Sequence, residues 1–153
     1  MKRDALPRIG WREWVGLPDL GIRSVKAKVD SGARSSSLHA FRIEPFERGG
    51  ESWVRFDVHP LQRTDRLAKR CEARILDRRQ VRSSNGLVAE RFVILTTLDW
   101  HGHQVPMELT LANRDAMGFR MLIGREAIRN RFLIDSGKSY LGGRPSRRSR
   151  RTP

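Results

Sequence analysis

The chain has 153 residues, with 31 Lys and Arg against 17 Asp and Glu for a formal charge of +14, and 38% of its residues are hydrophobic. That length suits one domain with a small core that a partner subunit would help to complete, and the charge draws polyanions: nucleic acid, an anionic membrane surface or an acidic peptide. The single cysteine, Cys71, excludes an intrachain disulfide, and no apolar run reaches the roughly eighteen residues of a spanning helix, so a reducing cytoplasm and no membrane are expected.

Residues 1–8 read as a polar lead-in, without the apolar centre of a signal peptide. Residues 9–15 alternate apolar and polar and predict an outer strand, turned by Gly16 and Pro18. Residues 25–29 predict a strand that runs into Asp30. Residues 37–46 and 53–58 both alternate around Glu47-Arg48-Gly49-Gly50-Glu51, a hairpin signal. Residues 60–67 are polar and predict a loop. Residues 71–81 alternate again, with Cys71, Ala73, Ile75 and Leu76 assigned to one face. Asn85-Gly86 then supplies the strongest short hairpin turn.

Residues 92–98 and 105–111 predict two further strands around a turn at His101-Gly102-His103, and residues 125–131 a helix of under two turns. Asp135-Ser136-Gly137 predicts a tight turn between Ile134 and Tyr140. It repeats an earlier triplet, but no apolar-Gly-Arg segment and helix follow it, so it does not mark a second lobe. The last ten residues, 144–153, hold five Arg and no acid and read as a disordered tail; without them the body still carries +9. Solvated charge in an Arg-rich composition is the plain alternative to a polyanion site. Short strands and frequent turns predict a small, mostly β barrel or sandwich.

The chemistry centres on Lys28-Val29-Asp30-Ser31-Gly32-Ala33. A strand ending in an acid, followed by a hydroxyl and two small residues, presents one carboxylate at a fixed point. Gly32 allows the backbone to turn, and Ala33 leaves the carboxylate room. Alone, the triplet equally fits a turn carboxylate bonded to its own loop. Val-Asp-Ser-Gly-Ala resembles the active loop of retroviral-type aspartic peptidases, and Met121-Leu122-Ile123-Gly124-Arg125 resembles the segment that packs against it there. With Val81-Arg82-Ser83-Ser84-Asn85-Gly86 and Thr110-Leu111-Ala112-Asn113-Arg114-Asp115 between them, the chain resembles the bacterial retropepsin-like family labelled ATP-dependent zinc proteases.

That resemblance implies a retropepsin-like acid protease barrel over residues 9–143 with one short C-terminal helix, working as a homodimer with its end strand at the interface. Two carboxylates held close share one proton, so one activates water while the other donates to the scissile carbonyl. The chain offers one such acid, Asp30, so the pair needs a twofold axis, with Ser31 and Gly32 completing the catalytic loop. Ala33, Arg34, Arg82, Ser83, Ser84, Asn85, Gly86 and Arg91 are the implied substrate contacts, the last six in or beside a flap. Ile123, Gly124 and Arg125 support the loop. Arg34 would favour the ionised form of the pair, bind an acidic substrate side chain, or stand solvated. Arginines near the flap, including Arg78 and Arg79, suit carboxylates, and each taken singly reads as an ordinary surface charge. The resemblance also implies a link to the glutamate ligase that extends a ribosomal protein, hence a glutamate-rich substrate.

No metal or cofactor is expected, despite the family's label. There is no His-Glu-x-x-His, one cysteine makes no thiolate cluster, and His101, His103 and His39 read as turn or packing residues. Gly137-Lys138-Ser139 ends like a phosphate loop, but Phe132 stands where its first glycine belongs. Ser35, Ser36 and Ser37 lack a neighbouring base. Trp11, Trp14, Trp53 and Trp100 read as core or interface. The rival expectation is a non-catalytic basic adaptor that binds RNA through the Arg-rich tail, or an acidic partner, and regulates the ligase.

Overall fold

Strand alternation sets the architecture. In the computed structural model, which describes residues 5–59, 68–82, 86–113 and 118–144, β1 (Arg8–Leu17) buries Ile9, Val15 and Leu17 on one face. Pro18 opens a 3-10 turn and Gly21, at φ 71°, closes it. The chain then returns antiparallel as β2 (Ile22–Asp30). β3 (Ser36–His39), β4 (Phe41–Arg48), β5 (Glu51–Val58), β6 (Lys69–Arg82), β7 (Val88–Trp100), β8 (His103–Ala112) and β9 (Met121–Gly124) follow. A single helical turn, α1 (Arg125–Ile128), precedes β10 (Leu133–Ser139).

Six strands close a barrel in the order β1-β2-β9-β3-β8-β7, shut where Gly16 of β1 meets Asp99 of β7. Inside it Leu17, Ile22, Leu38, Ile94, Leu98, Leu109, Leu111 and Ile123 are almost wholly buried in one apolar cluster. β6, β5 and β4 extend the sheet outward from β7, and β10 lies parallel to β1 at the other edge. Cys71 of β6 is a free, buried thiol whose pKa burial pushes up to about 11.

The structure corrects several boundaries. β1 is not an outer strand: it sits between β10 and β2 and closes the barrel, because half-buried alternation is the same pattern in both settings. The expected strand over residues 37–46 is two strands, broken at Ala40. Its first part lies between β9 and β8 while its second pairs with β5. Leu76 does not share a face with Cys71, Ala73 and Ile75. A bulge between Ile75 and Asp77 turns it out to 51% exposure. The helix stops at Ile128 rather than residue 131. Asp135-Ser136-Gly137 lies within β10, where four residues of that strand span two of β1 as a bulge, and the Gly137 N–H bonds Asp135 Oδ1 at 3.2 Å. The loop expected over residues 60–67, the tail beyond Arg144, and Arg114 and Asp115 lie outside the described residues.

Candidate active site

Asp30 is the last residue of β2 and pairs in parallel with Gly124, the last residue of β9. Two strand ends 94 positions apart in the chain thus meet at one point. The Asp30 side chain is half-buried, and its Oδ1 accepts the Gly32 N–H at 3.0 Å while its carbonyl accepts the Ala33 N–H at 3.2 Å. This is an Asx-type turn, and it fixes the rotation of the carboxylate. Gly32 does not adopt positive φ. Its side-chain-free Cα matters because a Cβ would stand 3.2 Å from Asp30 Oδ1.

The loop is clamped from its far side by the start of α1. Backbone N–H groups of Arg125 and Glu126 donate to the carbonyls of Ala33 (2.7 Å) and Arg34 (3.0 Å), and Arg125 Nη1 donates to the Ser31 carbonyl at 3.2 Å. Gly124 N–H donates to the buried Ser36 Oγ at 3.0 Å. A Cβ on Gly124 would come within 2.5 Å of the Ser35 backbone, so only glycine lets β9 approach this closely. Ile123, fully buried, anchors the same strand in the core. Ser31, Gly32 and Arg34 remain exposed on the solvent side.

Arg34 points elsewhere. It lines a depression of about 590 Å³ shared with Arg79, Leu95, Glu108 and Glu126, on whose wall Asp30 does not stand. β6 and β7 form the long hairpin in the flap's place, with its ladder running out to Arg82 opposite Val88, and Gly86 at φ 84°. Ser83, Ser84 and Asn85, the expected tip, lie outside the described residues. Arg91 is half-buried and opposite Arg79. Arg79 bonds Asp77 at 3.0 Å and Glu108 at 3.1 Å, which holds the Asp77 carboxyl below its ordinary range and raises the guanidinium. Arg78 lies 3.6 Å from Glu90 and over the Phe92 ring. These two arginines therefore already face acids of their own sheet.

Sequence reasoning missed the Ser36 hydroxyl, because a serine run reads as loop. It also missed that Lys26 and Lys28 share the half-buried face of β2 with Asp30, a relation that two-residue alternation carries. Among the described residues, no three His, Cys, Asp or Glu side chains gather as a metal site, and no helix is long and apolar enough to cross a membrane. His103 stacks on Trp100 at 5.7 Å and His39 on Phe41 at 6.3 Å. Geometrically, the site offers one carboxylate of fixed orientation, on a loop braced by a second strand and a helix start.

That arrangement coincides with a match over residues 8–145 to the family model described as RimB-like, retropepsin-like aspartic endopeptidase RimB. The chain belongs to the RimB-like family. A "Probable alpha-L-glutamate ligase" of Shewanella halifaxensis is 50% identical over 135 residues, covering 88% of this chain and 30% of that protein. A protein of the same name from Desulfotalea psychrophila is 48% identical over 141 residues, covering 92% of this chain and 30% of its own length. The chain thus spans about 30% of the length of the curated relatives it matches. The crystal structure of a Legionella pneumophila protein of unknown function superposes with a TM-score of 0.74 at 24% identity, over 90% of this chain and 99% of that one, a likeness of fold.

Proposed function

We propose that this RimB-like chain is an aspartic endopeptidase in which Asp30 of two identical subunits forms the catalytic pair. The observation that carries the reading is the clamp on Asp30: its carboxylate is oriented by Gly32 and its loop is held by Gly124, Arg125 and Ser36. A solvated turn carboxylate needs no such second-strand support. Ser31 stands exposed beside Asp30, where it can bond across a twofold axis. One Asp shares a proton with its copy; the charged member takes a proton from water as that water attacks the peptide carbonyl, and the neutral member protonates the carbonyl oxygen.

The substrate class in this reading is an acidic or glutamate-rich peptide, such as a glutamylated ribosomal-protein tail. The charge of +14 supports it, as do the relatives named for glutamate ligation, of which this chain matches only a part. The same names support, within this reading, a working association with such a ligase, and the lone cysteine suits a cytoplasmic setting. Asp30→Asn tests the mechanism. The variant should keep the native melting temperature and lose cleavage of an oligoglutamate peptide by roughly a thousandfold or more. Undiminished cleavage by the variant rules the mechanism out.

A further inference from the structure

β2 carries more than its terminal acid. Val25, Ala27 and Val29 are buried, so Lys26, Lys28 and Asp30 stand together on the opposite face. At the strand rise, Lys28 lies one pleat, about 7 Å, from Asp30, and Lys26 about 13 Å. β1 sets Arg12 opposite Lys28 and Trp14 opposite Lys26. Directly opposed residues of an antiparallel pair share a face, and like charges there repel. Arg12, Lys26 and Lys28 form such a local conflict beside the candidate catalytic acid, and conflicts of this kind concentrate at functional sites.

Aromatic rings hold Arg12 and Lys26 in place, and Arg12 Nε also donates to Ser139 Oγ at 3.1 Å. The Arg12 guanidinium lies 4.6 Å from the Trp11 ring and 5.0 Å from the Tyr140 ring. Lys26 Nζ lies 5.3 Å from Phe119 and 5.9 Å from Tyr140, and Arg144 lies 4.6 Å from Tyr140. The acid of β1, Glu13, does not neutralise this face. It is wholly buried on the other side, where its two oxygens accept the N–H groups of Gly10, Leu141, Gly142 and the Trp100 indole. Past Lys26 the face continues to Ser24, whose buried hydroxyl has no hydrogen-bond partner. Ser24 opens into a depression of about 550 Å³ lined also by Trp14, Arg23 and Arg144. The one acid among the described residues of that wall, Asp99, accepts the Gly102 N–H and the Gln104 side-chain amide.

We infer that Arg12, Lys26 and Lys28 are specificity-determining residues that bind the carboxylate side chains of an acidic peptide on one side of the scissile bond. Lys28, nearest Asp30, takes the side chain closest to that bond; Arg12 and Lys26 take those farther out, and the Ser24 depression receives the end of the segment. The inference rests on the peptidase reading for its substrate class, but not for its binding chemistry. A peptide is favoured over a nucleic acid because these cations share a face of β2 with Asp30, the acid that the peptidase reading sets at a peptide bond.

The test uses the full chain with Asp30→Asn to block cleavage, and a fluorescent hexaglutamate followed by anisotropy. This parent should bind hexaglutamate and not hexaglutamine, with an affinity that falls as salt rises. Adding Lys26→Gln or Lys28→Gln should each weaken binding about tenfold, the loss of one charge-assisted bond, whereas Lys→Arg at the same positions should retain it. Melting curves confirm that each variant is folded, and a variant that unfolds is replaced by its single charge-reversed counterpart, Lys28→Glu, for the same comparison. Equal affinity of folded Gln variants and parent overturns the inference. So does a parent that fails to discriminate hexaglutamate from hexaglutamine, or that binds a hexauridylate more tightly. Tight, Lys28-dependent binding by a native chain that cleaves nothing leaves the inference standing and removes the peptidase reading instead.

Discussion

At the scale of single residues, the site depends on how closely two backbones approach. Gly124 ends β9 against Ser35, with no space for a methyl group, and its N–H is fixed by Ser36 Oγ. Gly124→Ala would push the 125 amide away from the Ala33 carbonyl and loosen the loop that aims Asp30. The expected cost is about 1–3 kcal/mol of stability, as for other insertions into a packed region. Activity should fall more steeply than stability, because the displaced group is the carboxylate itself. Thermal melting and peptide cleavage on the same preparation separate the two. A variant that melts early but cleaves at the native rate would show that the clamp is structural only. Ser36→Ala makes the complementary test, leaving one buried N–H unbonded at about 1–3 kcal/mol.

At the scale of elements, Glu13 ties three parts of the chain together. It faces inward from β1, accepts the Trp100 indole N–H from the end of β7, and accepts the backbone N–H groups of Leu141 and Gly142 just beyond β10. Glu13→Gln puts an amide donor where a carboxylate oxygen accepted two N–H bonds, so the C-terminal segment should detach from β1. We expect a loss of about 1–3 kcal/mol, and faster hydrogen exchange at the 141 and 142 amides. Unchanged exchange there would mean that the bulged β10 holds the segment without Glu13. This latch was not legible in the sequence: Glu13 falls at the parity of Ile9, Val15 and Leu17, but nothing local shows that its partners lie at residues 100, 141 and 142.

Alternation did reveal most strands, because it records which side chains face the core. It did not place them. The same pattern serves an edge and a barrel strand, which is why β1 read as outer. Residues 37–46 read as one strand, although their apolar positions change parity between Ala40 and Phe41, where the chain passes from β3 to β4. The Asp30 loop and its Gly124 partner were readable because glycine and acid are chemically restricted there. The supporting Ser36 was not, since its hydroxyl acquires meaning only beside Gly124, 88 positions along; the cationic face of β2 lay in the alternation of Lys26, Lys28 and Asp30 and went unread.

At the scale of the whole molecule, the proposal needs two copies, and the barrel offers an edge for them. Among the described residues β10 pairs on one side only, with β1, and it exposes Leu133 at 53% and Ile134 at 38%. Leu6 is also exposed, and the Leu133 N–H bonds the Pro7 carbonyl, so an apolar rim runs beside the strand. A bare apolar edge invites pairing with another chain unless it is charged or covered. Leu133→Asp places a carboxylate at that edge without entering the core. By sedimentation, the native chain should form a dimer and the variant a monomer of the same melting profile. Peptidase activity of the variant should fall by at least about tenfold at equal concentration, since a pair that costs a further 1.4 kcal/mol to assemble is tenfold less populated. In the native chain, specific activity should drop on dilution through the dissociation range, because each subunit contributes only one of the two required acids. A monomer with full, dilution-independent activity would remove the shared-proton mechanism altogether, since Asp30 would then have to act without its copy.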